Sequence, residues 1–237
     1  MVICCAVLLF QALPARAAEI SCVRPPAPEI AVHVTEDPTV FDLDKNMDDL
    51  ALFRNEANSG HLPSRYHGDV GGVTEGLFKA YFDVSFHQGE GAGFANNNCV
   101  SIKAIDVHLV LEPTVYIASE FKDHVCWFRE IFAHETKHVE TDRAIARQYS
   151  DKIEEALDFA FENSGDYAFV EVPEDAVPVA RRDLRAAVKG AVGELFGSML
   201  RERMAAQLAL DNPAEYTRIA QACPSIEREQ VIPTALP

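Results

Sequence analysis

The amino-acid sequence predicts an α+β domain in which an antiparallel sheet packs on one long helix, with a second long helix behind it. The N-terminal half contains segments whose apolar and polar residues alternate with a period of two, which is typical of half-buried strands. Residues 123–163 and 181–208 instead repeat apolar residues at intervals of three and four, which is typical of helices. With 237 residues, 48% of them hydrophobic, the chain is long enough to bury a substantial core.

The composition restricts the partners and the compartment of the protein. A formal net charge of -16 predicts a surface that repels nucleic acid and anionic membranes, so neither is expected as a partner. The apolar run Val2–Phe10 is followed by Ala15-Arg16-Ala17, which places small residues where a signal peptidase cleaves. We therefore predict a signal peptide over residues 1–17, a single mature domain over 18–237 with no membrane span, and a periplasmic or secreted location.

Cysteines provide a second indication of the compartment. Cys22, Cys99, Cys126 and Cys223 form an even set in the predicted mature chain, which favours two disulfides in an oxidising compartment. We predict that Cys99 pairs with Cys126, joining a strand start to the beginning of the long helix. Cys22 would then pair with Cys223 and join the two termini. No C-x-x-C spacing supports a cysteine metal site.

The first elements of the chain are expected to be short. Ile30–Val34 and Thr39–Phe41 have the composition of strands and flank a turn at Asp37-Pro38. Asn46 is a suitable N-cap for a short helix that follows. Residues 55–73 are rich in Asn, Gly, Ser and His and are predicted to form a loop.

Three longer strands are predicted before the long helix. Leu77–His87 alternates apolar and polar residues and is the clearest strand in the sequence. Gly89–Gly93 is predicted to be a flexible connection. Val100–Leu111 and Thr114–Ser119 are predicted to pair as a hairpin around Glu112-Pro113, which completes an antiparallel sheet.

The C-terminal half is predicted to be mainly helical. The long helix is expected to begin after Asp123 as N-cap and to continue to Asn163. Asp166–Val179 contains two prolines and is predicted to form a connecting loop, after which a helix covers Arg181–Leu208. Asp211-Asn212-Pro213 combines capping residues with a proline of the first turn, so a third, short helix should follow.

The long helix contains the pattern H-E-x-x-H, at His134, Glu135 and His138. Residues four apart share one helix face, so both histidines can direct a ring nitrogen at one Zn²⁺. Zinc lowers the pKa of a water that it binds to about 7, and Glu135 is placed to take the proton. The histidines and Asp142 interrupt an apolar stripe, where an unpartnered polar group costs about 1–3 kcal/mol, which also favours a metal. The alternative is a surface helix with two incidental histidines. Lys137, a charged residue within the motif, is expected to extend outward.

A catalytic zinc normally has three protein ligands, and the motif provides two. Asp142 lies about 12 Å along the helix from His134, so we predict instead that it accepts a hydrogen bond from the ring N–H of His138. Our preferred third ligand is Glu194, which lies among glycines of the next helix, although it can equally pair with Arg201. The other candidate ligands are Glu120, Glu154, Glu155 and Glu162. Two strand residues, His108 and Tyr116, are further candidates to reach such a site and stabilise an oxyanion.

Several segments together resemble a known but uncharacterised group of proteins. The segments are Val115–Ala118, Cys126, Ile131–Val139, Ala146-Arg147, Gln207–Tyr216 and Cys223. They are similar to exported bacterial proteins described only as predicted secreted zinc-dependent proteases, with a zincin-type H-E-x-x-H motif. The resemblance implies a zincin-like fold and peptidase activity, with His134 and His138 as zinc ligands and Glu135 as general base. A glutamate ligand from a following helix, as Glu194 would be, is also a zincin feature.

The sequence therefore favours an exported zinc-dependent peptidase that hydrolyses peptide or protein substrates. One alternative is a periplasmic binding or scaffold protein with the same fold and no catalysis, whose metal site should be closed by four protein ligands. Another is an amidase that acts on cell-wall peptides. The sequence identifies no specificity pocket that separates these three hypotheses.

Overall fold

The computed structural model describes residues 22, 25–57, 71–90, 97–163 and 169–223. The predicted signal peptide lies outside these residues. The elements are β1 (Glu29–Glu36), β2 (Val40–Asp42), α1 (Met47–Ala57), β3 (Gly72–Glu90), β4 (Asn97–Ile117), α2 (Val125–Asn163), β5 (Phe169–Pro173), α3 (Val177–Leu210) and α4 (Pro213–Ala222). This mixture of helices and strands confirms the predicted α+β class. None of the helices in the described ranges is long and apolar enough to cross a membrane.

Strand β4 is the centre of the sheet. Along one edge it pairs antiparallel with β3 over nearly its whole length. Along its other edge it pairs in turn with β5, β1 and β2, of which β1 and β2 run parallel to it. The sheet is therefore mixed, and the prediction of a purely antiparallel sheet was wrong.

The predicted hairpin around Glu112-Pro113 was also wrong, because β4 continues through both residues. Pro113 lies opposite Gly76 of β3, between the stretch of β4 that pairs with β1 and the stretch that pairs with β2. Neither β1 nor β2 pairs with β4 at this residue, so that edge of β4 requires no hydrogen bond from a backbone N–H there. The strand therefore tolerates the proline. The predicted loop over 166–179 was wrong as well, since Phe169–Pro173 forms β5.

The helices cover one face of the sheet. Alternate residues of β4 are buried on that face: Ile105, Val107, Leu109, Leu111, Val115 and Ile117. Those from Ile105 to Leu109 form the main core with Ile153 and Leu157 of α2 and Val188 and Met199 of α3. On the other face, the alternate residues of β4 are only half-buried and include several polar side chains, among them His108 and Tyr116.

A second core surrounds the beginning of α2. Leu50 of α1, Trp127 and Ile131 of α2 and Ile219 of α4 are buried there. Two of the three predicted caps are confirmed, and the prediction of Asp123 as the N-cap of α2 was wrong, because α2 begins at Val125. The Asp49 N–H donates to Asn46 Oδ1 at 2.8 Å at the start of α1, and Asn212 accepts from the Glu215 N–H at 3.0 Å at the start of α4.

The described residues include two disulfides, but both predicted pairings were wrong. Cys22 pairs with Cys99, and Cys126 pairs with Cys223. Because β1 runs parallel to β4, the chain that precedes β1 lies beside the start of β4, where Cys99 is located. Helix α4 packs along α2 and ends beside the first turn of α2, which brings Cys223 to Cys126.

Candidate metal centre

The two histidines of the motif lie on the buried side of α2. His134 is 4% exposed and His138 6% exposed. Their rings meet edge to face, and the two Nε2 atoms are 3.1 Å apart. The helical spacing thus brings the same ring nitrogen of both residues to one point, as the sequence predicted.

The third ligand candidate is Asp211, which lies between α3 and α4. Its Oδ1 is 3.2 Å from His134 Nε2 and 3.3 Å from His138 Nε2. Among the described residues, one group has ligand atoms close enough together to hold a single metal ion, and it consists of His134, His138 and Asp211. The prediction of Glu194 was wrong, because Glu194 is exposed on α3 and does not belong to this group.

His134 Nε2, His138 Nε2 and Asp211 Oδ1 form a triangle of the size expected for three ligand atoms around one metal ion. Its sides are 3.1, 3.2 and 3.3 Å. A tetrahedral zinc with bonds of about 2.0–2.1 Å places its ligand atoms about 3.3 Å apart. The residues therefore fit a divalent cation, and two imidazoles with one carboxylate are an established ligand set for zinc.

The other ring nitrogen of His138 is held by α3. Its Nδ1 is hydrogen-bonded to Gln207 Oε1, and Gln207 Nε2 donates to Asp142 Oδ1 and to the backbone carbonyl of His138. Asp142 is 0% exposed and also pairs with Arg203. Asp142 thus supports His138 through Gln207, and the predicted direct hydrogen bond between the two was wrong.

The environment of His134 is different. Its Nδ1 is buried and has no hydrogen-bond partner among the described residues, the nearest carboxylate oxygen being Glu215 Oε1 at 3.6 Å. Lys137 donates to the same oxygen at 2.7 Å. Lys137 therefore does not simply extend into solvent as predicted. It holds Glu215 beside His134, and hydrogen bonds from Arg218 and Lys137 lower the pKa of Glu215 to about 2.

The carboxylate of Asp211 has a further partner in α4. The hydroxyl of Tyr216 donates to Asp211 Oδ1 at 2.9 Å. Burial acts to raise the pKa of Asp211, but hydrogen bonds from His134 and His138 outweigh it and hold the pKa well below the ordinary 3.8. Burial similarly acts to lower the pKa of His138, but the hydrogen bond to Asp211 and the charge of Glu135 raise it to about 9. The negative charge of Asp211 and the positive charge of a protonated His138 therefore stabilise each other.

Glu135 lies between the two histidines and the sheet and is 4% exposed. The hydroxyl of Thr74 on β3 donates to its Oε2 at 2.7 Å. A Cβ atom at Gly72 would lie 2.7 Å from its Oε1, so only glycine lets the strand pass this close. Burial raises the pKa of Glu135 above the ordinary 4.5, against the opposing charges of His138 and His134.

The remaining candidates from the sequence lie elsewhere. Glu120 accepts from the Met47 N–H at the start of α1, and Glu154 and Glu155 are exposed on α2. The side chain of Glu162 lies outside the description. His108 stacks on His33 across β4 and β1, and Tyr116 donates to Glu75.

The site opens at the junction of α2, α3 and α4. A small cleft there is lined by His134, Lys137, Leu210, Asn212 and Glu215. One of the histidines thus faces a space that a small polar molecule can enter.

In the sequence, Asp211 belongs to a predicted helix start and to the segment Gln207–Tyr216 of the resemblance, and neither identifies it as a ligand. Asp211 follows α3 and precedes the N-cap Asn212, so a capping role explained it fully. No local pattern links it to His138, because α3 must first pack along α2 before the two residues meet.

No protein-family model, no curated protein and no solved structure matches the chain.

Proposed function

We propose that the protein is an exported zinc-dependent peptidase with a zincin-like fold. The observation that carries this proposal is the triangle of His134 Nε2, His138 Nε2 and Asp211 Oδ1. Zinc held there would activate a water and polarise the carbonyl of a peptide bond. The two disulfides support the proposed location, because such bonds persist in oxidising compartments.

Glu135 is the proposed general base and then general acid. It follows a proposed ligand directly in α2, so its carboxylate lies beside the triangle. It takes a proton from the attacking water and delivers it to the leaving nitrogen of the substrate. The Thr74 hydroxyl fixes the position of this carboxylate from the sheet side.

The experiment compares the wild type with Glu135→Gln. Both proteins are expected to contain one zinc per chain, since Glu135 is not among the ligands. The wild type should cleave a broad peptide library, and the variant should lose about 99% or more of that activity, as expected for removal of a general base. Glu140→Gln is a matched control, because Glu140 is exposed on the same helix, and it should retain full activity. Equal activity in Glu135→Gln and the wild type would contradict the catalytic role.

One observation favours a second candidate, a binding or scaffold protein with a metal but without catalysis. Both carboxylate oxygens of Glu135 face β3, one toward Thr74 and the other toward Gly72. A zinc-loaded wild type that cleaves no member of the library would favour this alternative.

A further inference from the structure

The hydrogen bonds of Gln207 determine which way its side-chain amide faces. Two groups lie within reach of one end of the amide, the backbone carbonyl of His138 at 3.1 Å and the carboxylate of Asp142. Both groups only accept hydrogen bonds, because a carbonyl has no proton and the Asp142 carboxylate is paired with Arg203. The amide nitrogen must therefore face them, which leaves Oε1 to face Nδ1 of His138.

This orientation of Gln207 also determines where the proton of His138 is. An amide oxygen can only accept, so Nδ1 of His138 must be the donor. The neutral imidazole that binds a metal carries one N–H, so with Nδ1 as the donor it is Nε2 that gives up its proton and offers a lone pair. Nε2 is the nitrogen that faces His134 and Asp211. Metal binding requires an unprotonated ring nitrogen, and the network leaves that nitrogen on the side of the triangle.

We propose that Gln207 is a positioning residue that holds His138 in the tautomer and ring orientation required for metal binding. The proposal rests on the metal site described above and deepens it. Asp142, held by Arg203, orients the amide of Gln207, and Gln207 orients the imidazole. The end of α3 also holds Asp211 in place, because the Asp211 N–H donates to the backbone carbonyl of Gln207 at 3.2 Å. One turn of helix thus carries both a ligand and the residue that positions another ligand.

The test measures zinc affinity of the purified chain by competition with a chromophoric chelator. Gln207→Met removes the acceptor and both donors at nearly constant volume. We expect its zinc dissociation constant to rise about 10–100-fold, as for other residues that hold a metal ligand in place. Gln148→Met is the matched control, because Gln148 donates to Glu202 between the same two helices. Its zinc affinity should equal that of the wild type. Equal zinc affinity for Gln207→Met and the wild type overturns the proposal.

A rescue variant separates positioning from general loss of structure. Gln207→Glu keeps an oxygen that accepts from Nδ1 of His138, and its second oxygen shares a proton with the neighbouring carboxylate of Asp142, as two adjacent carboxyl groups do. We expect Gln207→Glu to bind zinc at least about threefold more tightly than Gln207→Met, because the acceptor for His138 is restored. A folded Gln207→Glu variant that binds zinc as weakly as Gln207→Met contradicts the proposal.

A spectroscopic readout is independent of affinity. Substitution with Co²⁺ should give the wild type a visible absorption band typical of low coordination number, and Gln207→Met should shift or weaken that band. Identical Co²⁺ spectra for both proteins count against the positioning role. A wild type that binds zinc but cleaves no peptide contradicts the proposed peptidase and leaves the role of Gln207 supported. A wild type that binds no zinc contradicts both.

Discussion

Arg203 and Asp142 form a two-bond ion pair between α3 and α2, with Nε 2.7 Å from Oδ1 and Nη2 2.9 Å from Oδ2. Asp142 is completely buried, whereas the Arg203 side chain remains 24% exposed. The guanidinium also lies 5.3 Å from the centre of the Phe78 ring. A buried carboxylate is costly without such a partner, so this pair fixes how α3 packs on α2.

Loss of this pair should destabilise the protein. Arg203→Met leaves Asp142 buried without its cation. We expect the free energy of unfolding to fall by about 3 kcal/mol, the low end for a broken buried pair because Arg203 has partial access to water. Urea denaturation of the zinc-free protein measures this. Arg201→Met, on an exposed position of the same helix, should change the value by less than about 0.5 kcal/mol. Equal losses in both variants would show that the ion pair has no special role.

The close passage of β3 over α2 leads to a second prediction. A Cβ atom at Gly76 would lie 2.0 Å from Asp142 Oδ2 and 2.8 Å from Arg203 Nη2. Gly76→Ala must displace the ion pair and should lower the free energy of unfolding by about 2 kcal/mol, as overpacking does elsewhere. It should also weaken zinc binding, because Gln207 depends on Asp142.

Gly89 provides the control for that substitution on the same strand. Nothing lies within 4 Å of the position that its Cβ would take. Gly89→Ala should leave both stability and zinc affinity close to those of the wild type. If Gly76→Ala behaves in the same way, the described contact between β3 and Asp142 is wrong.

The two disulfides should have different effects on the metal centre. Cys126–Cys223 joins the ends of α2 and α4 that lie away from Asp211, and α4 also carries Tyr216, which contacts Asp211. Its removal should lower the free energy of unfolding by about 4 kcal/mol and also weaken zinc binding.

Removal of the other disulfide serves as the comparison. Cys22–Cys99 joins the segment before β1 to the start of β4, and neither cysteine belongs to α2 or α4. The double variant Cys22→Ser/Cys99→Ser should lose a similar free energy of unfolding, but its zinc affinity should not change. Paired serine variants of each disulfide, measured by denaturation and by chelator competition, separate the two cases. Equal loss of zinc affinity in both would contradict the role of α4.

The ion pairs between α4 and α2 predict an acid dependence. Hydrogen bonds from Arg218 and Arg129 lower the pKa of Glu130 below its ordinary 4.5, although burial opposes them. A carboxylate whose pKa is lower in the folded state stabilises the fold above its unfolded pKa and loses this effect as the pH falls through the folded value. As the pH falls below about 5, the free energy of unfolding of the zinc-free wild type should therefore decrease by about 0.5 kcal/mol more than that of Glu130→Gln, the size expected for a partly exposed ion pair. Parallel curves for the two proteins from pH 7 to pH 3 would refute this contribution.

Local patterns in the sequence were sufficient for several elements. The three-and-four spacing along α2 predicted that His134 and His138 share a buried face, and the structure confirms it. Asn46 and Asn212 identified the starts of α1 and α4, because a cap depends on only the next three residues. In each case the interacting residues lie within about one helical turn of one another.

Features that depend on distant parts of the chain could not be predicted. Glu194 and Asp211 were equally acceptable as acidic residues after α2, and only the packing of α3 on α2 brings Asp211 to the histidines. The disulfide pairing followed from the parallel arrangement of β1 and β4, which no local pattern reveals. Pro113 suggested a turn because its effect depends on whether a neighbouring strand needs its N–H.

The zinc content of three purified proteins tests the metal centre most directly. After dialysis against limiting Zn²⁺, the wild type and Glu194→Ala should each retain one zinc per chain. Asp211→Ala should retain much less, since it removes one of three ligands. A wild type without zinc, or an Asp211→Ala variant that retains as much zinc as the wild type, would contradict the proposed site.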